Sequence, residues 1–221
     1  MFTLPVNDLL TALANVSMFA AKKDKDREHL TGVRLRVTGP NLEVLASDSY
    51  VAAQGRAAGE NIGGNFTVLV HPTALKPVID ALKANLFTTA RLDLTEYGLQ
   101  FFIGPDELLL TVRTMDGLHR YPAAEHLFNV PVGDSAGYIH IDPKRLALLA
   151  KLKEYGVKPD AQPGVTVTAG KKPDKALLAS FGHNLRFVLM PIRTNVLPDT
   201  HADAQTGLDW MAGAVASKAA A

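Results

Sequence analysis

Apolar residues along this chain follow two alternating periods, and the order in which these periods occur predicts a repeated set of elements. Residues 2–4 predict a short strand, and apolar residues at three- and four-residue steps over 6–16 indicate an amphipathic helix. Residues 33–37, 42–46 and 50–53 then predict three strands, because they are apolar, alternate in part and are separated by turn residues.

The same order occurs a second time. Residues 66–70 predict a strand, and Pro72 begins a helix. Strands are predicted at 92–94, 99–103 and 108–112. The apolar face of this second helix is Leu75, Val78, Ile79 and Leu82.

A third copy follows a connector that is rich in proline and lacks a clear element. Residues 138–141 predict a strand, and Asp142 caps a helix with Pro143 at its first position. Gly156 is predicted to end this helix, and a glycine–lysine turn at 170–174 lies among the strands that follow. These strands are predicted at 165–168, 177–181 and 186–190. The inward face of the third helix is predicted to be Leu146, Leu149 and Leu152.

The three copies therefore share the order strand, helix, strand, strand, strand, with a repeat of roughly 65–70 residues. This order predicts an α+β fold with the helices on one face of antiparallel sheets. We expect a domain of two repeat units at 1–124, a connector at 125–135, a third unit (a half-domain) at 136–194 and a flexible tail at 195–221.

Composition narrows the class of protein. Apolar residues make up 47% and charged residues 20%, as in globular proteins, and no apolar run approaches the ~20 residues of a membrane span. The N-terminus lacks the pattern of a signal peptide, and the chain has no cysteine, which fits the cytoplasm. The net charge of +1 means that binding to DNA would depend on a local basic surface.

Enzyme motifs are weak in this sequence. The seven histidines form no ligand pair at helical or strand spacing, and Gly63-Gly64 precedes a strand where a phosphate-binding loop would precede a helix. Asp48 beside Ser47 is either a fragment of a catalytic site or a turn cap, and the turn cap is favoured. We therefore expect no enzymatic activity, no cofactor and no metal.

Basic residues occur on or just after each predicted helix. They are either ordinary solvated surface or a shared positive face that binds the DNA backbone without sequence specificity. Their recurrence in all three units favours the shared face. The residues concerned are Lys22, Lys23, Lys25, Arg27, Lys76, Lys83, Lys144, Arg145 and Lys151.

Five segments, in order, resemble those of the bacterial sliding clamp, the beta subunit of DNA polymerase III. They are Phe2-Thr3-Leu4-Pro5, Leu30-Thr31-Gly32-Val33, Ala46-Ser47-Asp48-Ser49-Tyr50-Val51-Ala52, Met115-Asp116-Gly117 followed by Arg120-Tyr121-Pro122, and Val188-Leu189-Met190-Pro191-Ile192-Arg193. The resemblance implies clamp-like repeats matching the middle domain and the last half-domain of that family. It also adds His29 to the expected DNA-binding residues.

Two departures from the clamp pattern matter. Clamps of that family carry three domains of two units each and dimerise into a ring of twelve units, whereas this chain has three units. Four copies, a homotetramer, would restore twelve. The glycine of the clamp's Asp-Gly motif is replaced here by Ser49.

The resemblance also implies an apolar pocket that captures a Gln-x-x-Leu-x-aromatic peptide of a DNA polymerase or another partner. The alternative is that the strand near Val188 is simply core. The pocket positions implied are Leu30, Ser47, Ser49, Tyr50, Val51, Ala52, Phe128, Val188, Met190, Pro191, Ile192 and Arg193.

The tail contains a segment with the spacing of such a clamp-binding peptide. Its residues Gln205, Leu208 and Trp210 either dock in a pocket or match by chance. Taken together, the sequence predicts a sliding-clamp-like processivity factor, cytoplasmic and homo-oligomeric, that binds double-stranded DNA and no membrane. The alternative is a clamp-fold protein that forms no ring and acts as a regulator or decoy by binding a clamp or its partners.

Overall fold

The structure, a computed structural model, describes residues 1–104, 106–129, 141–169 and 176–191, and Met1–Pro191 form one compact unit. Within these residues, no helix is both long enough and apolar enough to cross a membrane. Three α-helices are described: α1 (Val6–Ser17), α2 (Pro72–Lys83) and α3 (Pro143–Leu149). The strands are β1 (Phe2–Pro5), β2 (Val33–Thr38), β3 (Asn41–Ser47), β4 (Val51–Ala58), β5 (Glu60–Asn61), β6 (Phe66–Val70), β7 (Thr89–Thr95), β8 (Gly98–Ile103), β9 (Glu107–Val112), β10 (Val165–Ala169), β11 (Leu177–Phe181) and β12 (Leu185–Leu189).

These elements fall into three units that follow the predicted repeat. The first unit is β1, α1, β2, β3 and β4; the second is β6, α2, β7, β8 and β9; the third contains α3, β10, β11 and β12. Every strand pairing is antiparallel, in a five-stranded sheet ordered β5-β1-β7-β8-β9 and a seven-stranded sheet ordered β10-β11-β12-β4-β3-β2-β6. The predicted α+β fold class is confirmed.

The first two units are joined by an exchange of strands. β1 of the first unit pairs with β7 of the second, and β6 of the second unit pairs with β2 of the first. The third unit joins differently, because its last strand β12 pairs edge to edge with β4 and so extends the sheet of the first unit. The seven-stranded sheet therefore contains strands of all three units.

The main core lies on the face of the sheets that the helices cover. Alternate residues of the strands point into it, and α1 is buried along most of its surface, with Leu9, Leu10 and Leu13 at 0% exposure. A helix that is apolar on nearly all sides requires cover from several elements. α2 packs beside α1, and the segment after α3 binds α1 through Asn15.

A second apolar cluster lies on the opposite face of the seven-stranded sheet. Two short 3-10 helices, Leu118–Arg120 and Ala124–Asn129, follow β9 in a segment for which no helix or strand was predicted. Tyr121, Ala124 and Phe128 from this segment are buried in the cluster. The other buried members of this second cluster are Leu45, Ala52, Leu69, Ala176 and Val188.

The third helix is shorter than the sequence pattern predicts. α3 ends at Leu149, and although Gly156 has a positive φ of 85°, it lies beyond the helix and caps nothing there. Leu149 is buried as predicted, but Leu146 is 46% exposed. The predicted inward stripe of this helix is therefore only partly correct, because α3 is covered mainly at its C-terminal end. The predicted strand 138–141, apart from its last residue, and the turn 170–174 lie outside the described residues.

Candidate functional site: the turn and strand junction around Tyr50 and Met190

The turn between β3 and β4 is organised by two short polar side chains. The Asp48 carboxylate accepts hydrogen bonds from the backbone N–H groups of Tyr50 and Val51, both at 2.8 Å. The Ser47 hydroxyl donates to the Val51 carbonyl at 2.9 Å and accepts from the Ser49 N–H at 3.1 Å. Asp48 thus acts as the turn cap that its sequence context predicts.

Ser49 adopts a left-handed backbone conformation within this turn, with φ of 77°. Serine is strained there, whereas glycine is not. This is the position at which the clamp motif has glycine and this chain does not. The left-handed conformation that glycine adopts without strain is therefore present here at a serine.

Two arginines from distant parts of the sequence contact the turn. Arg27 donates from Nη1 to the Ser49 hydroxyl at 2.7 Å. Arg145, at the start of α3, lies 3.4 Å from the Asp48 carboxylate through Nε, and its guanidinium stacks 4.3 Å from the centre of the Tyr50 ring. The turn is thereby connected to the third unit by a charge pair and a cation–π contact.

Pairing of β4 with β12 continues one residue past both strands, into the turn. The Met190 N–H donates to the Tyr50 carbonyl at 2.7 Å, next to the pairs Ala52–Val188 and Val51–Leu189. Because side chains alternate across a strand, Tyr50, Ala52, Val188 and Met190 share one face of the sheet. Tyr50 is 56% and Met190 40% exposed, whereas Ala52 and Val188 lie buried beside them.

The second cluster forms the floor behind these residues. The Tyr121 hydroxyl donates to the Leu45 carbonyl at 3.1 Å and lies 3.4 Å from the Gly32 carbonyl oxygen, which attaches the segment after β9 to the sheet. Phe128 packs on β12 and borders a cavity of about 170 Å³ together with Leu178 and Arg186. The surface is therefore an apolar floor with an exposed rim made by Tyr50 and Met190.

The structure places the predicted pocket residues at different depths and on both faces of the sheet. Ser49, Tyr50 and Met190 are exposed at the rim, with Pro191 half-buried beside them, and Ala52, Phe128 and Val188 are buried in the floor. Val51 is a correction: it belongs to the main core on the opposite face of the sheet, because it alternates with Ala52. Leu30 and Ser47 are buried nearby in the chain segments that carry the turn.

Several predicted residues lie outside the described part of the chain. They are Ile192, Arg193, Gln205, Leu208 and Trp210. Other residues were missed by the sequence reasoning. Tyr121 lies in the Arg120-Tyr121-Pro122 motif, so the sequence resemblance could have indicated it as a site residue. The role of Arg145 at this turn depends on a contact across 97 residues of sequence, which no local motif indicates.

The residues predicted to bind DNA are mainly exposed, and some of them already have acidic partners. Lys22, Lys23, Lys25, Lys76, Lys144 and Lys151 are exposed, and His29 is half-buried. Arg27 pairs with Asp24 at 2.9 Å and Lys83 pairs with Asp80 at 2.9 Å. The Asp24 pKa lies below its ordinary value because its carboxylate accepts the Arg27 backbone N–H and lies beside the Arg27 guanidinium.

Basic residues are unevenly distributed over the helix face that was expected to be positive. α1 carries no basic residue and has Asp8 in its first turn, and burial raises the pKa of Asp8. Arg145 faces the turn at Asp48, and so it is not a free cation on a helix surface. The exposed lysines on this side come from α2, α3 and the segment after α3, where Lys153 stacks 5.3 Å from the Tyr155 ring. Among the described residues, no group of acidic and histidine side chains is placed to hold a metal ion.

Comparison with known proteins identifies the architecture. No protein-family model and no curated protein matches this chain. The DNA polymerase sliding clamp from Pseudomonas aeruginosa is similar in structure, with a TM-score of 0.63 and 16% identity over 86% of this chain and 66% of that chain. The DNA polymerase III beta subunit from Thermotoga maritima has a TM-score of 0.63 and 13% identity over 86% of this chain and 65% of that chain.

The sliding clamp from Bacillus subtilis is also similar, with a TM-score of 0.60 and 15% identity over 87% of this chain and 64% of that chain. These similarities show that the chain has the sliding-clamp fold. The chain spans slightly less than two thirds of the length of these clamps.

Proposed function

We propose that this protein is a sliding-clamp-like processivity factor for DNA replication that holds a DNA polymerase by binding a short peptide of it. The observation that supports this most directly is the junction of β4 with β12, within a clamp fold. It places Tyr50 and Ala52 beside Met190 and Val188, so that two segments distant in sequence form one apolar surface.

The chemistry of this surface suits a peptide with a leucine and an aromatic residue. Met190 is unbranched and polarizable, and it adapts to the shape of an inserted side chain. The Tyr50 ring, backed by the Arg145 guanidinium, provides a rigid face for an aromatic side chain. Arg193, outside the described residues, is proposed to bind the glutamine or a backbone carbonyl of the peptide.

The protein would act by tethering, without catalysis of its own. The exposed lysines of α2, α3 and the segments after α1 and α3 would contact the backbone of double-stranded DNA, weakly and without sequence preference. A homo-oligomer that surrounds DNA in the cytoplasm would then keep the bound polymerase on its template.

Peptide binding tests this proposal. A fluorescein-labelled peptide with the pattern Gln-x-x-Leu-x-Phe would be titrated with the protein and followed by fluorescence anisotropy. We expect Met190→Asp to weaken binding at least tenfold, because a carboxylate replaces an apolar contact at the rim. Leu94→Asp is a matched control, because Leu94 is 44% exposed and lies on the other sheet. Equal binding by both variants would contradict the proposed surface.

A second function is favoured by the position of this surface, which a single copy of the chain forms without a partner. The same surface would then act in a regulator or decoy that binds clamp partners, or a clamp, without encircling DNA. Retention on circular DNA separates the two. A processivity factor stays on closed circles and leaves after they are linearised, whereas a decoy binds the peptide and is not retained.

A further inference from the structure

The chain contains two kinds of contact between its units, and both are reciprocal. In the contact between the first and second units, each unit places its first strand against the strand that follows the other unit's helix: β1 on β7 and β6 on β2. α1 and α2 pack side by side beneath this exchange. Such mutual exchange is the pattern of a two-fold relation between like units.

The contact between the first and third units is reciprocal in another way. β4 and β12 are each the last strand of their unit, and they pair antiparallel. Ala53, the third residue of β4, lies opposite Phe187, the third residue of β12, so a local two-fold axis passes between them. Last strands therefore pair with last strands.

Two of the four sheet edges are covered by the chain itself. β5, which follows β4, pairs with the outer edge of β1. In the same way, the segment after β9 returns to β6, where the Met115 N–H donates to the Leu69 carbonyl at 2.7 Å. Within the described residues, β9 and β10 are the long edge strands beside which no further segment of the chain is hydrogen-bonded, and they lie at the two ends of the three-unit array.

These two open edges lack the features that normally prevent strand pairing. β10 has no charged residue, and β9 has only Glu107 at its start. Exposed edge strands usually carry lysine, proline or a covering segment. Apolar side chains are instead exposed there: Leu108 on β9 by 50%, Val165 and Val167 on β10 by 37% and 48%, and Leu146 on the neighbouring α3 by 46%.

The kind of edge determines which partner fits it. β9 is the last strand of its unit. Because the last strands β4 and β12 pair with each other, we expect β9 also to pair with a last strand. The last strand with an unpaired edge is β9 of a second copy. β10 follows a helix, and among the described elements no second helix packs against α3 to the extent that α1 packs against α2. We propose that each end of this chain binds the same end of another copy: β9 to β9, and the third unit to the third unit.

This arrangement has a definite consequence for assembly. Because the two ends differ in kind, neither end is matched to the opposite end of a neighbour, and the chain does not form a head-to-tail ring. Two alternating two-fold contacts close only around an even number of copies, and four copies together contain twelve units. The closed ring of four rests on the proposed clamp function, whereas the two self-complementary ends follow from the strand pairings alone.

Solution mass measured by light scattering during size-exclusion chromatography tests the proposal with three variants. We expect the wild type to be a tetramer. Leu108→Lys and Val167→Lys each place like charges together at one two-fold contact, so we expect each to stop at a dimer and the double variant to be a monomer. Both side chains are exposed, and unchanged circular dichroism spectra and thermal midpoints serve as the folding control.

The outcomes distinguish the two modes of assembly. In a head-to-tail ring every contact uses both ends, so either single variant alone would yield monomers, which would overturn the proposal. A wild-type chain that is monomeric at all concentrations, or single variants that remain tetrameric, would also overturn it. Peptide binding measured on the same samples is independent of assembly, so a failure of the tetramer is distinguishable from a failure of peptide capture.

Cross-linking provides a second measurement that does not depend on weakening an interface. The chain has no cysteine, so single cysteines are introduced without background. Leu109 is the third residue of β9, as Ala53 and Phe187 are of their strands, and we expect Leu109→Cys to form disulfide-linked dimers under mild oxidation. Gln100→Cys on β8, one strand further in, is the control that stays unlinked. Absence of cross-linking at Leu109 and its two neighbours in β9 would contradict the β9 contact.

Discussion

At the level of single residues, the turn around Asp48 shows how side-chain hydrogen bonds maintain an unfavourable backbone conformation. Ser49 is held at positive φ by the Asp48 and Ser47 bonds on either side of it, and its hydroxyl accepts from Arg27. The turn presents Tyr50 at the rim of the proposed peptide site. Its geometry therefore matters for binding as well as for stability.

Substitutions at Ser49 separate backbone strain from the hydroxyl contact. Both Ser49→Gly and Ser49→Ala remove the bond to Arg27, but only glycine relieves the left-handed strain. We expect the glycine variant to be about 1 kcal/mol more stable than the alanine variant in urea denaturation. Equal free energies of unfolding would show that the turn relaxes to another conformation in solution.

A buried charge cluster lies on the face of the seven-stranded sheet that also carries the second apolar cluster. The Glu43 carboxylate is 2.9 Å from Arg34 and 2.9 Å from Arg36, and it accepts from the Gln54 amide at 2.6 Å. Arg34 is buried with it and stacks on the Tyr121 ring. Through Arg34, this cluster joins the strands to Tyr121, which lies in the floor of the proposed site.

Neutralising Glu43 is expected to be much more damaging than neutralising an arginine at the edge of the cluster. Glu43→Gln removes the buried carboxylate that lies 2.9 Å from both Arg34 and Arg36, which should lower the free energy of unfolding by about 3 kcal/mol. Arg36→Gln, at a side chain 37% exposed, should lower it by less than about 1 kcal/mol. Chemical denaturation of both variants checks this, and comparable losses would argue against burial of the charge.

At the level of elements, the third unit is held to the first by more than its sheet. Asn15 on α1 donates to the Lys153 carbonyl at 2.7 Å and accepts from the Lys153 N–H at 3.0 Å, and the Thr11 hydroxyl oxygen accepts from the Tyr155 N–H at 3.1 Å. These bonds satisfy backbone groups in the irregular segment after α3. They also explain why α3 ends early, since the chain leaves the helix in order to lie across α1.

Asn15→Ala is expected to loosen the third unit selectively. It leaves partly buried backbone groups of Lys153 unsatisfied, which should lower stability by about 2 kcal/mol and increase hydrogen exchange in residues 150–156. Asn85→Ala is the matched control, because Asn85 also donates to the carbonyl four residues earlier but makes no long-range bond of this kind. Identical exchange in both variants would place the connection elsewhere.

At the level of the whole molecule, charge is distributed between two faces. Exposed lysines of α2, α3 and the adjoining segments lie on the side of the helices, while Arg56 and Arg186 are exposed on the opposite face of the seven-stranded sheet. A clamp that surrounds DNA would contact it from the helix side. The net charge of +1 makes this distribution, and not the total charge, the relevant quantity.

Paired alanine substitutions test which face meets DNA. We expect Lys76→Ala with Lys151→Ala to weaken binding to double-stranded DNA about tenfold and to reduce the dependence on salt by about two counterions. Arg56→Ala with Arg186→Ala removes the same charge from the other face and should change neither quantity. Fluorescence anisotropy across a salt series provides the measurement, and equal effects of the two pairs would mean that DNA binds without a preferred face.

The sequence by itself determined the elements and their repetition. Strands β6 and β11 begin and end where apolar runs predicted, and the helix periods placed Leu9, Leu75 and Leu149 in the core. These features are local, because a run of side chains must match the face it buries whatever that face packs against. The turn-capping role of Asp48 could be predicted from the sequence because it also depends only on neighbouring residues.

Only the tertiary structure decided which strands pair and what meets at the turn. The exchange of β1 and β6, the junction of β4 with β12, and the placement of Val51 in the opposite core depend on register, and a shift of one residue reverses the face of every side chain. Arg145 contacts Asp48 across 97 residues of sequence, so no local pattern predicts that contact. These strand pairings and contacts are determined by long-range packing, which is the sum of many small contacts between segments distant in sequence.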